Sequence, residues 1–393
     1  MLRSLFSGIS GLRAHQTMLD VTGNNIANVN TTAFKASAVQ FQDTLSQLTQ
    51  AAGGPQDQVG GTNPAQIGLG VQVAGISTNF AQGSAQATGR AKDLMISGDG
   101  FFITKVGDET LYTRAGALDF DPLGRLVAPG GALVQGWAAD ANGVINTGGP
   151  VGTITLPRNA VMPATATTEA TVGGNLPSDA AVGTVLVREV TVYDATGAGR
   201  PLSLTYTRTA GAGTWDVDAT HNGTTVNGNV AFDANGQLTA GGTMVVNGIT
   251  VDMTSLTGFA KLTTVSVTDQ DGSDAGTLQS FTIGKDGTVI GLFSNGGEQA
   301  VGRIALATFV NPGGLEKAGG SGYRATFNSG AAEVGVPGQG GAGSLSAGQL
   351  EMSNVDLSQE FTNLIVAQRG FQANARIITT SDEVLQELTN LKR

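Results

Sequence analysis

Apolar residues recur at seven-residue steps along the last stretch of the chain: Leu357, Leu364, Phe371, Ile378 and Leu385, with Phe361 and Ala375 at the intervening four-residue steps. This spacing predicts one long helix with a seam for a partner. Asp356, with Gln359 three residues on, reads as a capping box at its start. From Leu357 to Leu391 such a helix runs ~50 Å. Val366, Ile377, Val384, Leu388 and Leu391 form a second stripe roughly a quarter turn from Ile378, so more than one neighbour is expected. Leu5, Ile9, Leu12, Leu19 and Ile26 repeat the same spacing at the other end of the chain. Gln16, Gln368 and Asp382 interrupt the two seams and are expected to fix register at a cost in stability. Two amphipathic helices capping an ordinary core would also fit, but the second stripe would then stay wet.

Between the ends the pattern changes to period two. The Asn- and Thr-rich run Gly23 to Lys35 ends the first helix, because these side chains compete for backbone hydrogen bonds. A short helical or irregular piece is expected over 36–48, and a mobile, extended connector over 51–64. Alternation at Leu69, Val71 and Val73, then at Ile76, Thr78 and Phe80, opens a β-rich region with turns at Gly98-Asp99-Gly100 and Asp121-Pro122-Leu123-Gly124. A Pro/Ala/Thr-rich change of composition at 157–171 marks a boundary. Beyond it, strands are expected at Val190 and Val192, at Leu202, Leu204 and Tyr206, and at Trp215, Val217 and Ala219. Asn247-Gly248 and Asp286-Gly287 turn two hairpins, and Gly-rich chain returns to the last helix.

The fold class is therefore mixed, mainly β with α-helical termini: N- and C-terminal helices paired as a coiled coil, with two β-rich domains inserted between them. The expected domains are 1–30 with 350–393 as the terminal coiled coil, 31–68 as connector, 69–156 with 277–349 as a first, discontinuous β-domain, and 157–276 as an inserted outer β-domain.

Composition narrows the function classes. Glycine contributes 59 of 393 residues, about twice the usual share, while the 40 % of apolar residues suffices for real cores. Net charge is −10 and charged residues are only 13 %; with no Lys/Arg run, nucleic acid and anionic lipid are not expected partners. Cysteine is absent, which removes disulfides, thiolate metal sites and cysteine nucleophiles. No run approaches ~18 apolar residues, so no membrane insertion is expected. The N-terminus lacks the apolar core of a cleavable signal peptide, so an exported chain would leave by another route.

Catalytic constellations are equally thin. His15 and His221 are the two imidazoles, and no triad or histidine metal site is built from them. Asp216, Asp218 and Asp233 could pair as glycosidase carboxylates, yet solvated strand ends account for them more simply. Trp215 alternates with Val217 and reads as core instead of a sugar platform. The run Gly338 to Gly343 fits a dinucleotide fingerprint without its strand and helix, and Asp269, Asp271 and Gly272 lack the spacing of a calcium loop. No enzyme activity, cofactor or metal is expected.

Three stretches carry a resemblance: Leu5 to Leu12; the run Asn24 to Lys35, with Asn24, Asn25, Asn28, Asn30 and Phe34; and Gln368 to Asn374, with Gln368, Arg369 and Asn374. Together they resemble the terminal motifs of the bacterial flagellar rod and hook axial family. Gly98 to Phe102 and Tyr112 to Gly116 resemble that family's shared β-domain. Gly291 to Gly296 and Leu306 to Leu315 resemble its hook members, as does the presence of an inserted middle domain, which itself carries no matched motif. The resemblance implies a flexible, tubular helical polymer of this chain that transmits torque from the rod of the basal body to the filament. It also implies an extracellular, flagellar location and, as partners, the distal rod, hook cap and hook–filament junction proteins and the flagellar export apparatus. A distal rod subunit is the alternative within the family; a secreted adhesin or glycan-binding β-protein is the alternative outside it.

Physics reaches part of this independently, since a heterologous contact repeated by a rotation that does not close makes an open helical filament. The terminal stripes would leave exported monomers with unfolded ends until assembly. Gly-rich stretches at 51–64 and 335–348 offer joints for domain adjustment. Gly370 costs its helix ~1 kcal/mol relative to Ala, and sequence assigns it no role.

Overall fold

A computed structural model describes residues 2–54, 60–140, 142–157 and 161–390. The two apolar end segments fold as α1, Leu2–Ala27, and α2, Leu357–Asn390. They lie against each other antiparallel: Gly8 faces Ile377 and Ile378, Gly11 faces Asn374, and His15 faces Gly370. The Asp356 carboxylate caps α2 by accepting from the amides of Ser358 at 2.8 Å and Gln359 at 3.2 Å. The Gln359 side chain donates forward to Asn363, so the cap is one-sided instead of the expected reciprocal box.

Within the stretch read as connector, residues 37–43, 46–50 and 65–68 are strands, and 55–59 of its extended part lie outside the described residues. Ser37–Asp43 (β1), Ser46–Gln50 (β2), Ala65–Gly68 (β3) and Val71–Thr78 (β4) form a long two-stranded arm, β1 on β4 and β2 on β3, both antiparallel. The helical or irregular piece expected over 36–48 is therefore absent. Val39, Phe41 and Val73 alternate with Gln40, Gln42 and Gln72, a period-two pattern that is short enough to be mistaken for irregular chain.

Contacts divide the chain into two compact units: Met1–Leu156 with Ile283–Val289 and Ala300–Arg393, and Pro157–Thr282 with Ile290–Gln299. Residues 277–282 and 290–299, assigned from sequence to the first β-domain, thus belong to the second unit.

In the first unit, strands Leu133–Ala138, Phe101–Val106, Glu109–Thr113, Gly322–Arg324 and Glu316–Gly319 pair antiparallel in that order. Phe101 sits at the centre of an aromatic cluster, 5.6 Å from Phe80, 5.9 Å from Tyr323 and 5.8 Å from Phe309 between ring centroids. A Cβ at Gly116 would lie on the Leu94 carbonyl oxygen, which explains a glycine there. The Gly-rich segment 335–348 is not a free joint. Its strand Ser344–Ala347 pairs with Leu94–Ser97, and Gly343 donates to the Asp99 carbonyl at 2.6 Å.

The second unit has a four-stranded sheet, ordered Thr243–Val246, Ile249–Thr257, Glu169–Asn175, Ser266–Gln270, and a five-stranded antiparallel meander, Val185–Tyr193 through Leu238–Ala240. Leu202, Leu204, Tyr206, Trp215, Val217 and Val251 are all buried in one core. The Asn247-Gly248 turn has φ of 48° and 85°, the left-handed pair that a two-residue hairpin requires.

A turn device recurs across both units. In Asp121, Asp140, Asp194 and Asp233 one carboxylate oxygen accepts from the amides two and four residues on, at 2.8 to 3.0 Å. The residue at the third step is a glycine with φ of 77° to 82°. The Thr196 hydroxyl, then the amides of Ala198 and Thr196, hold the Asp194 carboxyl below the usual range. The Gln237 amide does the same for Asp233. Such groups stabilise fully above the unfolded value of about 3.9, and the contribution is lost as pH falls through the lower folded value. Asp194→Asn/Asp233→Asn should therefore lose less stability than the parent between pH 7 and about pH 3. Urea unfolding followed by Trp215 emission in a Trp137→Phe background measures this.

Candidate assembly interface

The surface between α1 and α2 is lined by small and polar residues. Gly8, Gly11, Ala14, Thr22 and Asn25 are the buried positions of α1, and Glu360 and Ala367 those of α2. Leu5, Ile9, Leu12, Leu19 and Ile26 are half-buried, one step round the helix from that line. On α2, Leu364, Ala375, Ile378 and Leu385 are half-buried, whereas Leu357, Phe361 and Phe371 are exposed. Gln16, Gln368 and Asp382 are exposed and do not interrupt the contact, contrary to the register role expected for them. The physical reason is separation. A Cβ at Gly370 would stand 2.5 Å from the His15 ring, and one at Gly11 2.6 Å from the Asn374 side chain, so bulky residues are pushed to the flanks.

Two apolar surfaces are left in contact with solvent. On α2, Val366, Ile377 and Val384 are exposed, Val366 to 54 %; Leu391 and the side chain of Leu388 lie outside the described residues. Beside α1, a groove of about 460 Å³ runs along β4, lined by Phe6, Ile9, Arg13, Leu69, Val71 and Val73. Its floor is stitched where the Val71 amide donates to Ser10 Oγ at 3.2 Å. Phe6 is 67 % exposed at its rim.

The Asn-rich run does local structural work. Asn25 donates to the Ser37 carbonyl at 2.7 Å and to Glu360 Oε1 at 3.0 Å, and accepts from the Ser37 amide at 3.0 Å. It thereby pins the start of β1 and the first turn of α2 to the end of α1. Asn28 donates to the Asn24 carbonyl and accepts from Thr31. The Phe34 ring lies 5.1 Å from Lys317 Nζ, and Asn374 donates back to the Gly370 carbonyl. Asn24, Asn30, Gln368 and Arg369 are exposed.

The candidate chemistry disperses. Asp218 accepts from Asn227, Asp233 caps its own turn, and Asp271 accepts from Thr168 and Glu169 at a strand end. Trp215 is fully buried. The run 338–343 leads into a strand instead of a helix. Among the described residues no group of three metal-ligating side chains forms, and no helix is long and apolar enough to cross a membrane.

Three family profiles fit this chain. One described as flagella basal body rod protein matches residues 5–35, one as flagellar hook protein FlgE/F/G D1 domain residues 95–173, and one as flagellar basal body rod FlgEFG protein C-terminal residues 346–391. The flagellar hook protein FlgE of Borreliella burgdorferi is 40 % identical over the full length of both chains. The chain belongs to the flagellar hook protein family. The hook protein FlgE of Treponema pallidum is 38 % identical, and the basal-body rod protein FlgG of Bacillus subtilis 36 % identical, each over the full length of both chains.

In this hook-family chain the profile at the N-terminus spans α1 as far as Lys35, and the one at the C-terminus spans Glu351 and α2. Those two residues form a buried ion pair, Lys35 Nζ to Glu351 Oε1 at 2.6 Å, which the sequence reading did not single out. No spacing could reveal it, because the partners are separated by nearly the whole chain. Gly370 does acquire a role: it admits the His15 ring. Gly370→Ala gains about 1 kcal/mol of helix propensity but is expected to loosen the helix pair, and His15→Ala should relieve the clash. A double-mutant cycle, read by helix melting in circular dichroism, should show the pair coupled by at least about 0.5 kcal/mol.

Proposed function

We propose that this chain is the structural subunit of the flagellar hook, polymerising into a flexible tube that couples the rod of the basal body to the filament. The observation that carries the polymer reading is the pair of unlike apolar surfaces on one chain. The α2 stripe and the α1–β4 groove lie at one axial level, because Gly8 to Gly11 stand beside Asn374 to Ile378 while Phe6 to Arg13 line the groove. A neighbour placed alongside with little axial shift brings its Ile377 and Val384 to this groove. Two different surfaces in contact make a heterologous interface, which can repeat without limit.

The reading implies copies of the chain as principal partner, with the distal rod, hook cap and hook–filament junction proteins at the ends of the tube. Secretion through the flagellar export apparatus to the cell exterior belongs to the same proposal. It assigns no catalytic step and no cofactor. The chain brings to the polymer a terminal helix pair, a first β-rich unit and a second, inserted β-rich unit. The basal-body rod reading is sustained by the FlgG relative; two hook proteins of higher identity and the separately cored second unit favour the hook.

Electron microscopy of concentrated protein should show tubes of regular helical repeat, and removal of residues 1–30 and 357–393 should abolish them. In a strain lacking its hook protein this chain restores hooks; restoration only of a rod-deficient strain would favour the rod reading. Val366→Asp should leave monomer melting nearly unchanged and raise the critical concentration for assembly by about tenfold or more, the equivalent of losing one buried valine contact.

A further inference from the structure

Where the helical end of the first unit joins its β-rich end, three segments of the chain come together: residues 33–37, 79–83 and 351–354. All three meet at one carboxylate. Glu351 Oε1 accepts from Lys35 Nζ at 2.6 Å and from the Gly83 amide at 2.9 Å, and the Glu351 carbonyl accepts from the Ala33 amide at 2.8 Å. Lys35 Nζ also donates to the Ala81 carbonyl at 2.8 Å. Asn354 completes the crossing, accepting from the Ala36 amide and donating to the carbonyls of Asn79 and Ala81. From the β-rich side, Arg114 brings Nε to 3.5 Å from Glu351 Oε2 and donates to the carbonyls of Phe80 and Gly98.

The side chains of Lys35 and Glu351 are 0 % exposed and that of Arg114 is 3 % exposed. Burial pulls Lys35 below the ordinary lysine range, Glu351 opposes this, and the Arg114 charge adds to it. Ala33, itself buried, holds a φ of 58°, a left-handed conformation that a non-glycine residue adopts at a cost. Two cations, one carboxylate and a strained backbone are an inefficient route to stability, since well-packed apolar residues of similar volume commonly stabilise as well or better. What the ions supply and apolar groups cannot is direction, because each bond names the atom it accepts.

We propose that Lys35, Arg114 and Glu351 are positioning residues for assembly: they fix the direction in which the α1–α2 pair leaves the first β-domain, and thereby set the curvature of the polymer. The consequence for curvature rests on the hook-subunit reading; the fixing of direction does not. It follows that the helical end and the β-rich end of this unit move as one piece.

The chain has no cysteine, so a pair of spin labels can be placed cleanly on the full-length protein at Val106→Cys and Thr380→Cys, both exposed. The parent should give one narrow distance distribution. Glu351→Gln, which strands two buried cations, should lower the melting temperature by roughly 10 °C. The triple variant Lys35→Met/Arg114→Met/Glu351→Met should melt within a few degrees of the parent, yet give a broadened or shifted distribution and tubes of altered curvature.

A triple variant with the parent's distribution would overturn the proposal, because the ions would then be structural only. Should the triple variant not fold, Lys35→Arg/Glu351→Asp keeps the charges and moves their contact atoms; an unshifted distribution there is equally fatal. If the distribution changes but no variant, nor the parent, forms tubes, the hook-subunit reading fails while the positioning role stands.

Discussion

Backbone closeness between two helices drawn from opposite ends of the chain governs the terminal region. Gly8 and Gly11 on α1 and Gly370 on α2 leave no Cβ in the way, so the axes approach further than a leucine seam permits. That closeness has a price in exposed oil: with the centre of the contact occupied by glycine, alanine and asparagine, the leucines, isoleucines and phenylalanines of both helices fall on its flanks. Flanking apolar residues half-covered in a monomer are available to a neighbour. The same feature that joins the ends thus leaves a surface on which copies can join.

The β-rich part of the first unit depends on a different economy. Only 13 % of residues are charged, yet three of them lie where no water reaches, where three segments of the chain meet. Around them the bonding is complete on nearly every backbone group: Ala33, Ala36, Gly83 and the carbonyls of Phe80 and Ala81 all have partners at this crossing. Asn25 extends the same order to the helix ends by pairing with both backbone groups of Ser37 and with Glu360.

Much of the architecture was legible in the sequence because it is written in periodicity. The terminal helices, the Asn247-Gly248 hairpin and the burial of Trp215 in one core with Val217 all follow from spacing and turn chemistry. What escaped is written in residues that spacing does not weigh. A heptad count follows bulk and points to Leu5, Ile9 and Leu12, whereas the closest approach of α1 to α2 is at glycines one step away. Strands β1 to β4 are short and Gln-rich, and alternate too briefly to stand out. Glycines at 335–348 signal turns, but not whether the turns are free, and here Gly343 and Leu345 are bonded into neighbouring chain. Lone charges such as Lys35 and Glu351 stand in no spacing that marks them as partners until the fold brings them together. The resemblance to flagellar proteins, by contrast, was carried by motifs at both ends and stands on the full-length relatives.

Antiparallel packing of α1 and α2 has one practical corollary. Gly8 stands beside Ile377 and Ile378, so the first turns of α1 and the last turns of α2 share one end of the helix pair. A fluorophore carried on the first turns of α1 would crowd the same end of the pair as one on the last turns of α2, and moving it from one helix to the other would bring no relief. Labels are better carried by the solvent-facing Asn222-Gly223 hairpin turn of the second unit, remote in sequence from both helices.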